Sequence, residues 1–145
     1  MEDKSLTPYC IKPLSRAVLT ASLVLGVSGC NWVKLLSVSS TGEQGNSDSH
    51  EPAISGNGRY VAFYSNASNL VAGDNNGNYD IFLRDTLTGA TTRVSVDSAG
   101  NESNNASYLP AISGDGRYVA FQSSANNLVA GDTNAKSDIL VRDTL

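Results

Sequence analysis

The 145-residue chain has two cysteines, one histidine, one methionine and one tryptophan, and only 17% of its residues are charged. Each shortage excludes a class of function. The single histidine, His50, leaves no second imidazole for a metal site. No G-x-S-x-G elbow accompanies it, so serine hydrolysis lacks its parts. Ten Lys and Arg against fourteen Asp and Glu give a net charge of −4, with no basic footprint for nucleic acid. Phosphate-binding glycine motifs are absent, and the thirteen glycines stand mostly in turn sequences. Glu and Lys, four of each, are scarce beside Gly, Asn and Ser. That balance opposes a helical bundle and predicts an all-β chain of short strands joined by turns.

Long apolar runs are also missing, apart from residues 17–27 (AVLTASLVLGV), which follow Lys4, Lys12 and Arg16. Eleven residues fit a secretory signal and fall short of the roughly 20 needed to span a bilayer. The run ends in Val27-Ser28-Gly29-Cys30, which resembles a bacterial lipobox. The resemblance implies that residues 1–29 are a lipoprotein signal peptide. Cys30 becomes the acylated mature N-terminus, and residues 30–34 form a short tether. Two or three acyl chains anchor firmly, at about 0.8 kcal/mol per buried methylene. Asn31, in place of the aspartate associated with inner-membrane retention, points to the outer membrane, facing the periplasm or the cell surface. Cys10 falls in the leader, so the mature domain has no thiol for a disulfide.

What the chain does have is a repeat. Residues 52–87, PAISGNGRYVAFYSNASNLVAGDNNGNYDIFLRDTL, recur without a gap at 110–145, at an offset of 58. The correspondence reaches upstream to Ser37, Val38, Gly42 and Asn46, which recur as Ser95, Val96, Gly100 and Asn104. A fixed long period is an architectural signal. Residues 34–91 and 92–145 are thus two copies of one unit within a domain spanning 35–145. In the first copy, residues 50–55 read as a strand, Asn57-Gly58 as a tight hairpin turn, and residues 59–65 (RYVAFYS) as a second strand. The second copy has Asp115-Gly116 at the turn. Residues 80–86 and 91–96 supply a third and a fourth strand. Residues 59–65 are apolar on both faces, Tyr60, Ala62 and Tyr64 on one and Val61 and Phe63 on the other, so the strand needs cover on both sides.

The motif P-A-I-S-G-[ND]-G-R-Y-V-A-F-x-S, with D-I-[FL]-[LV]-R-D-T-L and T-G-A-T-T-R-V-S-V after it, resembles the TolB-type, WD-like propeller repeat of exported bacterial proteins. The resemblance implies a β-propeller scaffold of four-stranded blades, a fold used for binding and as non-catalytic domains of peptidases. Residues 35–40, matched to Val94-Ser95-Val96, read as a fourth strand that opens the domain, and the chain stops after a third. The phase is d-abc-d-abc, an incomplete propeller. Ring closure needs about four to eight blades. Two blades suit a fragment of a longer propeller, or a homotrimer closing a six-bladed ring by strand exchange.

Two loops carry oxygen-bearing side chains at alternate positions, in the manner of calcium loops. The first offers Asp74, Asn76, Asn78 and Asp80, and the second Asp132, Asn134 and Asp138, with Lys136 where the first has Asn78. Calcium is the one cofactor the sequence suggests. Asp and Asn also cap turns through their own backbone, which is the competing explanation. Arg59 with Asp85, and Arg117 with Asp143, recur as prospective ion pairs. His50 faces Tyr108 in the alignment and is read as structural. Asn66, Asn101 and Asn105 begin glycosylation sequons that carry no meaning in a bacterium. The expected function is a non-catalytic, lipid-anchored propeller that binds an envelope protein or ligand. The alternatives are the accessory domain of a truncated hydrolase or peptidase, and a calcium-stabilised surface module.

Overall fold

The computed structural model describes residues 33–145. The expected signal peptide at 1–29 and the expected acylation site Cys30 lie outside the described residues. Among the described residues no helix is long and apolar enough to cross a membrane. Residues Leu35–Leu145 form one compact unit, built from seven strands. These are β1 (Ser49–Ile54), β2 (Tyr60–Ser65), β3 (Asp80–Asp85), β4 (Thr91–Arg93), β5 (Ser107–Ile112), β6 (Tyr118–Ser123) and β7 (Asp138–Asp143). They make two antiparallel sheets, one in the order β1-β2-β3-β4 and one in the order β5-β6-β7.

Turn chemistry sets each hairpin. Residues 55–59 form a five-residue connection, longer than the two-residue turn that Asn57-Gly58 suggests. Ser55 Oγ accepts the Tyr60 N–H at 3.0 Å and donates to Asn57 Oδ1 at 2.7 Å, and Asn57 Oδ1 also accepts the Arg59 N–H. Gly58 takes the left-handed conformation that closes the loop, with φ 70°. The second copy repeats the device with Ser113, Asp115 and Gly116. In the β1–β2 ladder His50 faces Tyr64 and Ala53 faces Ala62, so Glu51 and Pro52 together oppose Phe63. This bulge suits a proline, which has no N–H to give the ladder. It holds Glu51 at φ 47°, and the same bulge holds Leu109 at φ 55°.

The expected strand at residues 35–40 does not form. Only Leu35 falls on β4 in the repeat, at Arg93; residues 36–40 match residues 94–98, which form no strand in the second copy either. Both segments run instead into a turn, bridged in the second copy at Val96 and Glu102 and in the first at Val38 and Gln44. There Ser39 Oγ accepts the N–H groups of Thr41 and Glu43. The fourth strand is also shorter than the sequence suggests and ends at Arg93. Beyond it the Ser95 hydroxyl accepts the Ile81 N–H, and Val96 pairs only with Glu102.

Residues 59–65 do receive cover on both faces. Phe63 and Phe82 pack on Ala67 and Leu70 of the loop that follows β2. On the other face, Ala62, Ile81 and Leu83 of the first sheet meet Val119, Phe121, Ala125 and Leu128 of the second copy. The two sheets therefore stack, unlike face on unlike face. Their hairpin tips touch as well, Gly116 lying against the ring of Tyr60, where an added Cβ would fall 2.2 Å from the ring. Gly58, its counterpart, has open space at that position. Both are left-handed, so the pair separates backbone strain from inter-sheet packing. Gly58→Ala should cost about 1 kcal/mol, and Gly116→Ala roughly 2 to 4 kcal/mol, in denaturant unfolding. Equal costs would show that the tips do not pack.

Candidate functional site: an acidic loop closed by an arginine

The loop between β2 and β3 owes its shape to its own side chains. Asn76 Oδ1 accepts the Asn78 N–H at 2.6 Å, and the Asn78 amide returns to the Asn76 carbonyl at 3.2 Å. This is turn capping. It uses the Asn76 oxygen and leaves Asn78 outside the acidic centre. The Asn76 Nδ2 donates to Asp80 Oδ2 at 2.8 Å and to the Ser103 carbonyl at 3.0 Å.

Asp80 starts β3 and is fully buried. Its Oδ1 accepts the hydroxyls of Ser95 and Ser103, the latter at 2.8 Å. Glu102 Oε1 accepts the N–H groups of Asn75 and Asn76. Arg93, at the end of β4, lies at the centre. Its NH1 is 2.7 Å from Glu102, 3.6 Å from Asp74 and 3.7 Å from Asp80, and its NH2 donates to the Gly73 carbonyl. The oxygens of Asp74, Asp80 and Glu102 lie within 4.8 Å of one another. Three carboxylates thus surround one guanidinium, and the buried Asp74 Oδ2 has no partner.

That imbalance moves the protons. Burial, with the neighbouring Asp80 charge, pushes Asp74 up to about 6 against the partial relief given by Arg93. Burial raises Asp80 too, although the hydrogen bonds from Ser95, Ser103 and Asn76 oppose it. For Glu102 the burial penalty is outweighed by the Asn75 and Asn76 N–H groups and by Arg93, so it is lowered.

Of the oxygens expected to attract calcium, the structure brings together Asp74 and Asp80. It adds Glu102 and supplies a cation of its own. Arg93 and Glu102 carry no repeat signal, since their counterparts upstream are Leu35 and Gln44. That difference between the copies is the signal that could have marked them. In the second copy, Asp132 and Asp138 are half-buried and Asn134 donates to Asp138 at 3.3 Å. The Asn134 oxygen caps the Lys136 N–H. No Lys or Arg pairs with this acidic group among the described residues.

The repeated ion pairs form as expected. Arg59 reaches Asp85 through NH2 and Nε at 2.7 and 3.1 Å, and Arg117 meets Asp143 in the same fork. Each arginine also lies over the next tyrosine, at 4.9 and 5.1 Å. Half-exposed pairs of this kind add about 0 to 1 kcal/mol. The Arg59 hydrogen bonds hold Asp85 well below the usual carboxylate range. A groove of about 440 Å³ between the sheets is lined in part by Tyr60, Leu83, Asp85, Asp115 and Arg117. His50 lies elsewhere, in an aromatic cluster with Tyr64, Tyr79 and Tyr108, at ring separations of 5.3 to 6.0 Å. His50 and its counterpart Tyr108 thus join the same cluster.

No protein-family model and no curated protein matches the sequence. Solved structures do show similarity. One of them is the crystal structure of TolB from Acinetobacter baumannii, at a TM-score of 0.41 and 18% identity over 67% of this chain. The chain spans 19% of the length of that structure.

Two measurements address the acidic loop. Protonated Asp74 favours the fold, so its contribution is full below about pH 3.8 and is lost as pH rises through about 6. The stability of wild type relative to Asp74→Asn should therefore fall as pH rises from about 4 to about 7; a difference that is flat in pH would refute the shift. Calcium titration by calorimetry of the Asp132→Asn, Asp138→Asn protein, in which only the first loop keeps its carboxylates, should give no heat up to millimolar metal, because Arg93 already occupies that centre. A saturable heat would place a metal there instead.

Proposed function

We propose that the chain is a partial β-propeller of two blades, one of four strands and one of three, held on the bacterial envelope by lipid on Cys30. In this reading it is a non-catalytic scaffold that binds an envelope component. The first sheet has the four antiparallel strands of a blade, and the stacking of the second sheet on it supports the arrangement.

The observation that carries the binding role is a difference between equivalent positions. Ile81 and Leu83 are 0% and 6% exposed beneath the second sheet, whereas their counterparts Ile139 and Val141 are 76% and 68% exposed. Tyr118 extends the same open face and is itself exposed. Apolar side chains gathered on one surface mark a docking site. The same face would serve a catalytic domain that used this one as an accessory, but no residue pair of the described unit favours that reading over simple binding.

The test has two parts. Cys30→Ser should release the protein from the membrane fraction and abolish incorporation of labelled fatty acid. A photo-crosslinking residue at position 139 should give one defined envelope adduct, lost on Val141→Asp. Retained membrane association of the Cys30→Ser protein would remove the anchor, and absence of any adduct at 139 would remove the scaffold.

A further inference from the structure

Five tyrosines lie among the described residues, and they fall into two groups. Tyr60 and Tyr118 each carry a guanidinium of their own chain, Arg59 at 4.9 Å and Arg117 at 5.1 Å from the ring centroid. Each of those arginines also forks a carboxylate, Asp85 or Asp143. A tyrosine face beside an acid thus holds an arginine twice in this chain. Tyr64, Tyr79 and Tyr108 form the second group, in the cluster with His50. Tyr64 stands edge-on to the other two, at 82° and at 5.3 and 5.4 Å. No Lys or Arg lies over these three half-buried rings among the described residues.

Both walls of the cluster are present in the chain. Tyr64 packs on the core that joins the two sheets and faces His50 in the β1–β2 ladder. Tyr79 leads into β3 and Tyr108 stands in β5, and the Tyr79 carbonyl accepts the Ser107 N–H at 2.7 Å. The cluster is not a general feature of the repeat, because Gln122 and Ser137 stand in the second copy where Tyr64 and Tyr79 stand in the first. Acids adjoin it. Burial and then the charge of Glu51 raise the Tyr64 phenol, so that carboxylate lies close to the ring. Glu51 is exposed on the β1 bulge, and Asp48 is exposed just before β1. Neither forms an ion pair among the described residues.

We propose that this cluster binds an arginine side chain of a partner polypeptide, which lies against the tyrosine rings and forks the Glu51 carboxylate. Aromatic faces attract cations, and a planar guanidinium can stack on a ring while its edge bonds an acid. Arg59 does both at Tyr60 and Asp85. Tyr79 and Tyr108 are 5.5 Å apart, which leaves no room for a group between them. The guanidinium therefore lies on the outer surface of the cluster, where a flat group covers more ring than a compact, strongly hydrated ammonium does. Asp48 adds charge that draws a basic segment in. The site shares no residue with the face around Ile139 and Val141, so it is a second contact beyond the one proposed above.

The test titrates the full-length protein with acetyl-Gly-Arg-Gly-amide and follows the tyrosine ring signals by NMR. The peptide should shift the Tyr64, Tyr79 and Tyr108 signals saturably, and the same peptide with citrulline, alike in shape but uncharged, should not. Glu51→Gln and Tyr108→Leu should each weaken binding about two- to five-fold, the range of an exposed cation–aromatic contact. Glu51 is exposed, so Glu51→Gln decides the matter even where Tyr108→Leu does not fold. Equal shifts with the citrulline peptide would make the cluster a platform for neutral ligands, and saturation at lower concentration by tetramethylammonium would assign it to a quaternary ammonium. Either result overturns the proposal, as would the absence of saturable shifts or binding indifferent to Glu51→Gln.

Discussion

A carboxylate with no access to water is tolerable only where enough donors surround it, and Asp80 imposes that condition on the middle of the chain. Asn76 comes from the loop before it, Ser95 from the segment just after β4, and Ser103 from the approach to β5. One side chain thereby fixes a loop, the end of a sheet and the lead into the next copy. Breaking it would leave a desolvated charge, a penalty larger than the worth of any one of these bonds. Arg93 offsets part of the loop's negative charge, and Glu102 holds both Arg93 and the Asn75 and Asn76 N–H groups.

Around that polar centre the apolar packing is of an ordinary kind but arranged asymmetrically. Each sheet has one face covered by its own following loop, where Phe63 and Phe82 lie on Ala67 and Leu70. The opposite face of the first sheet is finished by the second copy through Val119 and Phe121. The close approach of Gly116 to Tyr60 and of Gly56 to Gly114 shows that the hairpin tips share the interface. Here the glycines serve contact as much as turn geometry.

Much of this was legible in the sequence because the repeat doubles every signal. The offset of 58 located β1, β2 and β3 and their copies, the Asn57-Gly58 and Asp115-Gly116 turns lay where expected, and the recurring Arg59–Asp85 and Arg117–Asp143 pairs form. What escaped notice depends on neighbours rather than on local pattern. Residues 36–40 look like a strand but, like their counterparts 94–98, turn back into a bridge, Val38 with Gln44 as Val96 with Glu102. β4 stops early because Ser95 turns toward Asp80 and Ile81. Alternating Asp and Asn resembles a metal loop until the Asn76 oxygen is seen capping Asn78. Arg93 and Glu102 carry no repeat signal, because Leu35 and Gln44 stand at the equivalent positions of the first copy.

The buried Arg84 guanidinium donates to the Ser39 carbonyl, at 2.9 Å, and Arg142 does the same for Val96 and Asp97. In both copies the third strand thus grips backbone that was synthesised earlier. Arg84 reaches forward as well, to Thr91 Oγ1 at 2.8 Å, so in the first copy one buried guanidinium joins the segment before β1 to the strand after β3. Losing it would loosen the two ends of that unit together, because each supplies acceptors that no other donor of the same side chain could serve.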